Sequence, residues 1–445
     1  MKHVFYLIFI AVFITSCSSV YKVEDVNNEF NIVEFRNSYT LRSDKTDSIF
    51  DVFKDDELKQ LVILGLKQNS DIFIYDSRIK IAESQIKLAT SKQMPNVNGN
   101  VSYSYNGDSI INTNLMASWE LDIFGKYALD KKSYIENYNI AKKNLDFFKI
   151  SLISDISLAY FNLKYLQSNI ILTKERIKNY YEIVRIMDIM YKNGFIAFSD
   201  FLENKVFLQQ EEQSLNTLQN DYEAKKNELR VLINDSKYEF NSNEYHFYTP
   251  KFHINLDSSA EVILNRPDIQ AQISNLNSAI YRLNSSKADL YPSISLSASL
   301  GKAFLSPAEF AYQILSSLTL PLFSRFEIYE NIKINEYTKL EAYYTLQKAL
   351  NTALSEIENA IYSLESNKNT LQTSIDMLNQ NEETLYLLKK SNELGLVDSV
   401  EYLQALNSNL LMLKNNNTSY FNTISATIYL YRSIGGNMND LKDFI

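Results

Sequence analysis

The chain has 445 residues, a formal net charge of −9, and only 9 Gly and 6 Pro against 31 Tyr and 25 Phe. The acidic balance argues against a nucleic-acid partner, and the scarcity of Gly and Pro predicts few turns and long uninterrupted elements. No apolar window reaches about 18 residues, which excludes a membrane-spanning helix in the mature chain.

In chain order, the first feature is a basic start at Lys2 followed by the apolar run "VFYLIFIAVFI", Val4 to Ile14, too short to span a bilayer. With "ITSC" after it, the segment reads as a secretory signal, residues 1–16. Cys17 is the only cysteine in the chain, so no disulfide forms within it. The cleavage region resembles a bacterial lipobox. That resemblance implies cleavage before Cys17, and an N-palmitoyl, S-diacylglycerol cysteine there. Ser18, in place of the Asp that retains lipoproteins at the inner membrane, implies the outer membrane. Residues 17–54 are expected to form a lipidated, extended N-terminal segment.

From residue 55 the chain is written twice. "NSDI" at 69 matches "RPDI" at 266, and "SKQMPNVNGNVSYS" around Pro95 matches "KADLYPSISLSASLG" around Pro292. "LDIFGK" at 121 matches "LPLFSR" at 320, and "NGFIAFSDFLE" at 193 matches "LGLVDSVEYLQ" at 394. Offsets that drift only from 197 to 201 point to two structural repeats with few insertions. They cover residues 55–235 and 257–436. A polar and aromatic linker, 236–256, lies between them, and 437–445 form a tail.

Each repeat reads helix, strand, strand, long helix, helix. The first hairpin falls in 95–124. Val101, Tyr103 and Tyr105 alternate with Asn100, Ser102 and Ser104, and Leu115, Ala117, Trp119, Leu121 and Ile123 alternate with Asn114, Ser118, Glu120 and Asp122. The second falls in 292–323. There Ile294, Leu296, Ala298 and Leu300 alternate with serines, and Leu318, Leu320 and Leu322 mark its second strand. Four strands of roughly ten residues have the length of tilted bilayer crossings.

The helices that follow the hairpins carry heptads: Ile156, Leu163, Ile170, Ile177, Val184 and Tyr191 in one half, and Leu350, Ile357, Leu364, Leu371, Leu378 and Leu385 in the other. Such rows predict packed, coiled-coil helices. A helix from Lys126 to Asn193 would span roughly 100 Å, so an elongated rod or tube is expected. Membrane strands must close into a barrel. Four cannot close, because the smallest barrels have about eight; three chains would supply twelve. In that reading "MASWELDIFGKY", 116–127, is a barrel stave that becomes tunnel wall at Gly125.

The residues "SWELDIFGK", "NRPDIQAQISNLNSAI", "ADLYPSISLSASLG" and "LYRSIGG" together resemble the TolC-like outer-membrane efflux family, in its NodT-type lipoprotein subgroup. The resemblance covers nearly the whole mature chain. It implies a mainly α protein with a membrane β part: a homotrimer with a 12-stranded β-barrel in the outer membrane and a long coiled-coil α-barrel in the periplasm. It also implies an inner-membrane pump of the resistance-nodulation-division type, a periplasmic adaptor and export of drugs or other small molecules. Peptide or protein secretion and metal efflux are alternatives within the channel class, and a periplasm-spanning structural lipoprotein is the alternative outside it. The chain departs from the family where relatives carry an acidic and a basic residue after the second tip: here "LNSNLLML" places Asn407 and Leu410.

The candidate gate residues are accordingly Asp200, Asp398, Glu401, Gln404 and Asn407. The turns beside them are marked by Gly194 and Gly395, with Ser199 or Asp200 and Asp398 or Ser399 as N-caps of the returning helices. No catalytic residues, cofactor or metal site are expected. Of the three histidines, His3 is in the signal and His246 and His253 are in the linker. No phosphate loop or nucleophile elbow is present.

Overall fold

A computed structural model of the protein describes residues 48–105, 107, 109–240, 259–304, 311–321 and 323–437. Cys17, His246 and His253 lie outside the described residues. The described elements run α1 (Ile49–Phe53), α2 (Asp56–Gln68), α3 (Ser70–Ser91), β1 (Asn96–Tyr105), β2 (Ser109–Leu121), α4 (Lys126–Lys192) and α5 (Phe198–Ile233). They continue with α6 (Ser259–Asn265), α7 (Pro267–Ala288), β3 (Ser293–Phe304), β4 (Ala311–Thr319), α8 (Arg325–Glu393) and α9 (Ser399–Ser433). The chain divides into two compact units, and each is described by itself.

The first unit takes Ser77–Lys142 and Gln270–Ala349. It holds one antiparallel sheet in the order β1-β2-β3-β4. Opposite residues in an antiparallel pair share a face, so the register assigns the faces of all four strands. Ala117 pairs with Val97 and Ala298, Leu115 with Leu300, Trp119 with Leu296 and Ile294 with Leu318. Ser118 pairs with Asn96 and Ser297, Asn114 with Asn100, Ser295 with Ser317 and Ser299 with Gln313. One face is thus mainly aliphatic and aromatic, and the other is built mainly of amides and hydroxyls. β4 stops at Thr319, one residue short of Leu320 and three short of Leu322. Pro321 has no N–H to continue the ladder, which is why the expected leucine row ends at Leu318. Leu322 is outside the described residues.

The second unit takes the described parts of Glu34–Asp76, Lys143–Ile269 and Leu350–Ile445. Residues 49–53, expected in an extended segment, instead form the short helix α1. The Ser48 hydroxyl accepts from the Phe50 amide at its start, and Lys54 closes it in the left-handed region. Burial of Ile49, Val52 and Phe53 holds it down, with Phe53 on the Phe161 ring at 4.7 Å. Near its middle α4 lies against α2 so closely that a Cβ on Gly65 would sit 2.3 Å from the Ile156 side chain. Asp55 caps α2 through the Leu58 amide and receives hydrogen bonds from Tyr160 and Lys164 of α4.

The long helices have 67 and 69 residues. On α8 the heptad leucines and isoleucine at 357, 364 and 371 are buried, as the pattern predicts. On α4 the row holds at Ile156 and Leu163, but Ile170, Ile177 and Val184 are only half-buried. From there the buried stripe passes to Asn169, Thr173, Arg176, Ile183 and Met187. The cause is a change of neighbour. Ile156 meets α2 at Gly65 and Tyr160 bonds to its cap Asp55, whereas farther along Asn179 and Thr173 bond to Asn407 and Lys414 of α9, and Arg176 pairs with Glu211 of α5.

Candidate functional site

Two regions carry the features a conducting wall needs: the strand-to-helix junction in the first unit and the helix tips in the second. At the junction every polar side chain of "WELDIFGK" has a partner. The Trp119 indole N–H donates to the Gln93 carbonyl at 3.0 Å, tying β2 to the loop before β1. Asp122 accepts from the amides of Tyr127 and Ala128 at 3.0 and 2.7 Å. That satisfies two orphan donors at the start of α4 and places a negative charge on its positive end. Gly125 takes φ +74°, which a side chain would resist, and lets the strand turn into the helix within four residues. Phe124 stacks on Tyr291 at 4.8 Å, and Lys126 pairs with Asp289 at 2.6 Å. Glu120, on the polar face, accepts a hydrogen bond from the Tyr127 hydroxyl at 2.9 Å. Burial and that carboxylate push the Tyr127 phenol up to about 12, so it stays a donor at physiological pH.

The two tips share one backbone device. The Phe195 amide bonds to the Met190 carbonyl and the Gly194 amide to Tyr191; the Leu396 amide bonds to Ser391 and the Gly395 amide to Asn392. Both are Schellman caps, with glycines at φ +77° and +72°. The residue after each glycine, Phe195 or Leu396, stands about three-quarters exposed. Asp398 caps α9 as expected, accepting from the Glu401 amide at 2.8 Å. The expected caps Ser199 and Asp200 are not used. α5 begins at Phe198 with Ala197 as its N-cap and no side-chain cap, and the Ser199 hydroxyl donates to Asp200. Starting the helix there brings Phe198 and Phe201 against Tyr191, at 5.0 and 6.2 Å.

Among the gate candidates, Asp200, Asp398, Glu401 and Gln404 are exposed. Asn407 is not: it is 2% exposed, and its side-chain oxygen accepts from Asn179 at 2.9 Å, between α9 and α4. It belongs to a polar seam that sequence reasoning missed. The seam runs through Asn169 and Asn417, Thr173 and Lys414, and Arg176 with Glu211 at 3.0 Å. Burial pulls the Lys414 ammonium below its ordinary range, against the opposing pull of Glu211. The available signal was the density of asparagine, a poor helix former, at 407, 409 and 415–417 of one helix.

The sequence matches the outer membrane efflux protein family over residues 64–235 and 259–436. The chain belongs to this family. It is an outer-membrane channel protein serving efflux. It is similar to nodulation protein T of Rhizobium leguminosarum bv. viciae, at 23% identity over 80% of this chain and 77% of that one. It is also similar to the cation efflux system protein CusC of Escherichia coli K12, at 22% over 86% and 87%. Its fold is that of the crystal structures of CusC and of the Campylobacter jejuni CmeC outer membrane channel. The TM-scores are 0.78 and 0.77, at 19% and 22% identity, covering 91% and 93% of this chain and 97% of each of those.

Proposed function

We propose that three copies of the chain close a 12-stranded barrel, polar face inward, and continue as an α-helical tunnel that exports small molecules. An inner-membrane pump, of the resistance-nodulation-division type, and a periplasmic adaptor would drive and couple it. The observation that carries the reading is the register of the sheet. One face is fit for lipid and the other for water, and β1 and β4 have no outer partner among the described residues. Four strands cannot satisfy their own edges in a bilayer, and three copies can. In this reading residues 1–16 are a signal, 17–54 anchor and strap the chain, 55–235 and 257–436 are two repeats, 236–256 is a linker and 437–445 is a tail. The test is a heat-resistant trimer of the purified protein that conducts ions in planar bilayers. A monomer that conducts nothing would favour a structural lipoprotein.

The cargo is a separate matter. Similar proteins carry names as different as cation efflux system protein and solvent efflux pump outer membrane protein. That range fits a duct whose cargo is chosen by its pump. Drugs, metal ions and secreted peptides therefore all stay open as substrates, to be separated by the pump with which the channel copurifies.

Cys17 is the proposed lipid anchor. Cys17→Ser should abolish incorporation of labelled palmitate while leaving the barrel able to assemble. Palmitate that still enters this variant would refute the assignment.

The tips are the proposed gate, with Asp200, Asp398, Glu401 and Gln404 presented at the axis by three-fold symmetry. The carboxylates there would favour cations at the periplasmic end. Asn407, engaged with Asn179, would hold the tip helices together rather than touch cargo. Asp200→Ala, Asp398→Ala and Glu401→Ala combined should raise single-channel conductance and antibiotic leakage. Unchanged currents would take these acids out of the gate, leaving Asp398 only as the cap of α9, and assign the constriction to the apolar residues Phe198, Phe201 and Tyr402.

A further inference from the structure

We propose that Glu120 is a selectivity-determining residue of the barrel: the carboxylate that makes its lumen favour cationic over anionic solutes, whatever the state of the tips. The proposal rests on the barrel closing with its polar face inward. β1 to β4 carry two charged side chains, Glu120 and Lys302. The register puts them on opposite faces. Glu120 pairs with Ser295 on the amide and hydroxyl face, and Lys302 pairs with Thr113 on the face that carries Leu115, Ala117 and Trp119. Along the described strands the proposed lumen is therefore lined mainly by neutral donors and acceptors with one formal charge per chain, and closure repeats that charge as a ring.

Among the described residues no cation is paired with Glu120. The hydrogen-bond partner of Glu120 is the neutral Tyr127 hydroxyl, which fixes the direction of the carboxylate without compensating it. The cation nearest in sequence, Lys126 at the start of α4, is held by Asp289. The neighbouring acid, Asp122, is spent on the amides that open α4. A fixed carboxylate in a low-dielectric wall raises the local concentration of cations and lowers that of anions, and rings of such residues are the usual basis of cation preference in pores. A purely structural role would need only an acceptor for Tyr127, and a glutamine oxygen supplies that equally well.

Glu120→Gln is therefore the decisive substitution. It keeps the shape and the acceptor and removes only the charge. With the full-length protein in planar bilayers under a KCl gradient, the reversal potential of the Gln variant should move severalfold in permeability ratio toward non-selectivity. Glu120→Lys should move it further, to anion preference. The same shift should appear in a background where the tip acids are already neutralised. Gln and Lys variants that conduct with the wild-type reversal potential would overturn the proposal and leave the barrel reading intact. If the wild-type protein forms no channel, the barrel reading itself fails.

Discussion

Asp268→Asn and Glu356→Gln introduced together are expected to destabilise the helical unit by about 3–5 kcal/mol, because they strand a buried cation. Arg266 is the reason. Its side chain is only 4% exposed, and its guanidinium meets Asp268 and Glu356 at 2.8 Å and donates to the Ser433 carbonyl at 2.6 Å. One side chain thus joins the start of α7, the flank of α8 and the end of α9. Removing the cation instead, as in Arg266→Met, frees two carboxylates that are 31% and 39% exposed and can rehydrate. What stays uncompensated is chiefly the Ser433 carbonyl, worth about 1–3 kcal/mol. The double carboxylate variant should therefore lose helicity at a lower urea concentration than Arg266→Met. The opposite order would mean that the three-way junction is held by packing rather than by charge.

The second large effect concerns the sheet. Ala117→Arg should abolish the heat-resistant oligomer in outer-membrane fractions, whereas Ser118→Arg should leave it largely assembled. Ala117 lies among Val97 and Ala298, and Ser118 among Asn96 and Ser297. A charge facing lipid at the bilayer midplane costs on the order of 2–4 kcal/mol, and in a trimer it is incurred three times. A one-residue slip in register would exchange the two faces. Equal tolerance of the two arginines would therefore refute the assignment of the faces.

Much of the fold was legible because its signals are long or strictly periodic. The expected helix from Lys126 to Asn193 forms from Lys126 to Lys192. The alternation around Trp119 fixed the faces of β2, since every second residue must share a side. What failed was local competition at element ends. Ile123 continues the apolar alternation but lies past β2, in a turn where its own amide bonds to Leu121. Leu320 continues it past β4, next to Pro321, which cannot pair. Ser199 and Asp200 have the chemistry of caps, yet α5 starts earlier, at Phe198, beside the Tyr191 ring. The site was harder to read than the fold. Asn407 sits where a gate residue is expected along the chain, but a helix has several faces and sequence distance does not choose among them. Its burial against Asn179 depends on which side of α9 meets α4, and the polar seam that decides this contains no apolar period.

The edges of β1 and β4, which have no outer partner among the described residues, also have a genetic consequence. In the proposed closure each chain joins two neighbours edge to edge, so no single copy can be completed by repairing the other two. A proline placed mid-strand in β4 would remove a ladder donor at one seam, and the ring would be open wherever that copy stood. In a cell making equal amounts of altered and unaltered chains that mix at random, only about one ring in eight would be built wholly of sound copies. Lesions at these edges should therefore behave as dominant ones, suppressing export even with a normal gene present. Truncations that keep the chain from the membrane altogether should be recessive.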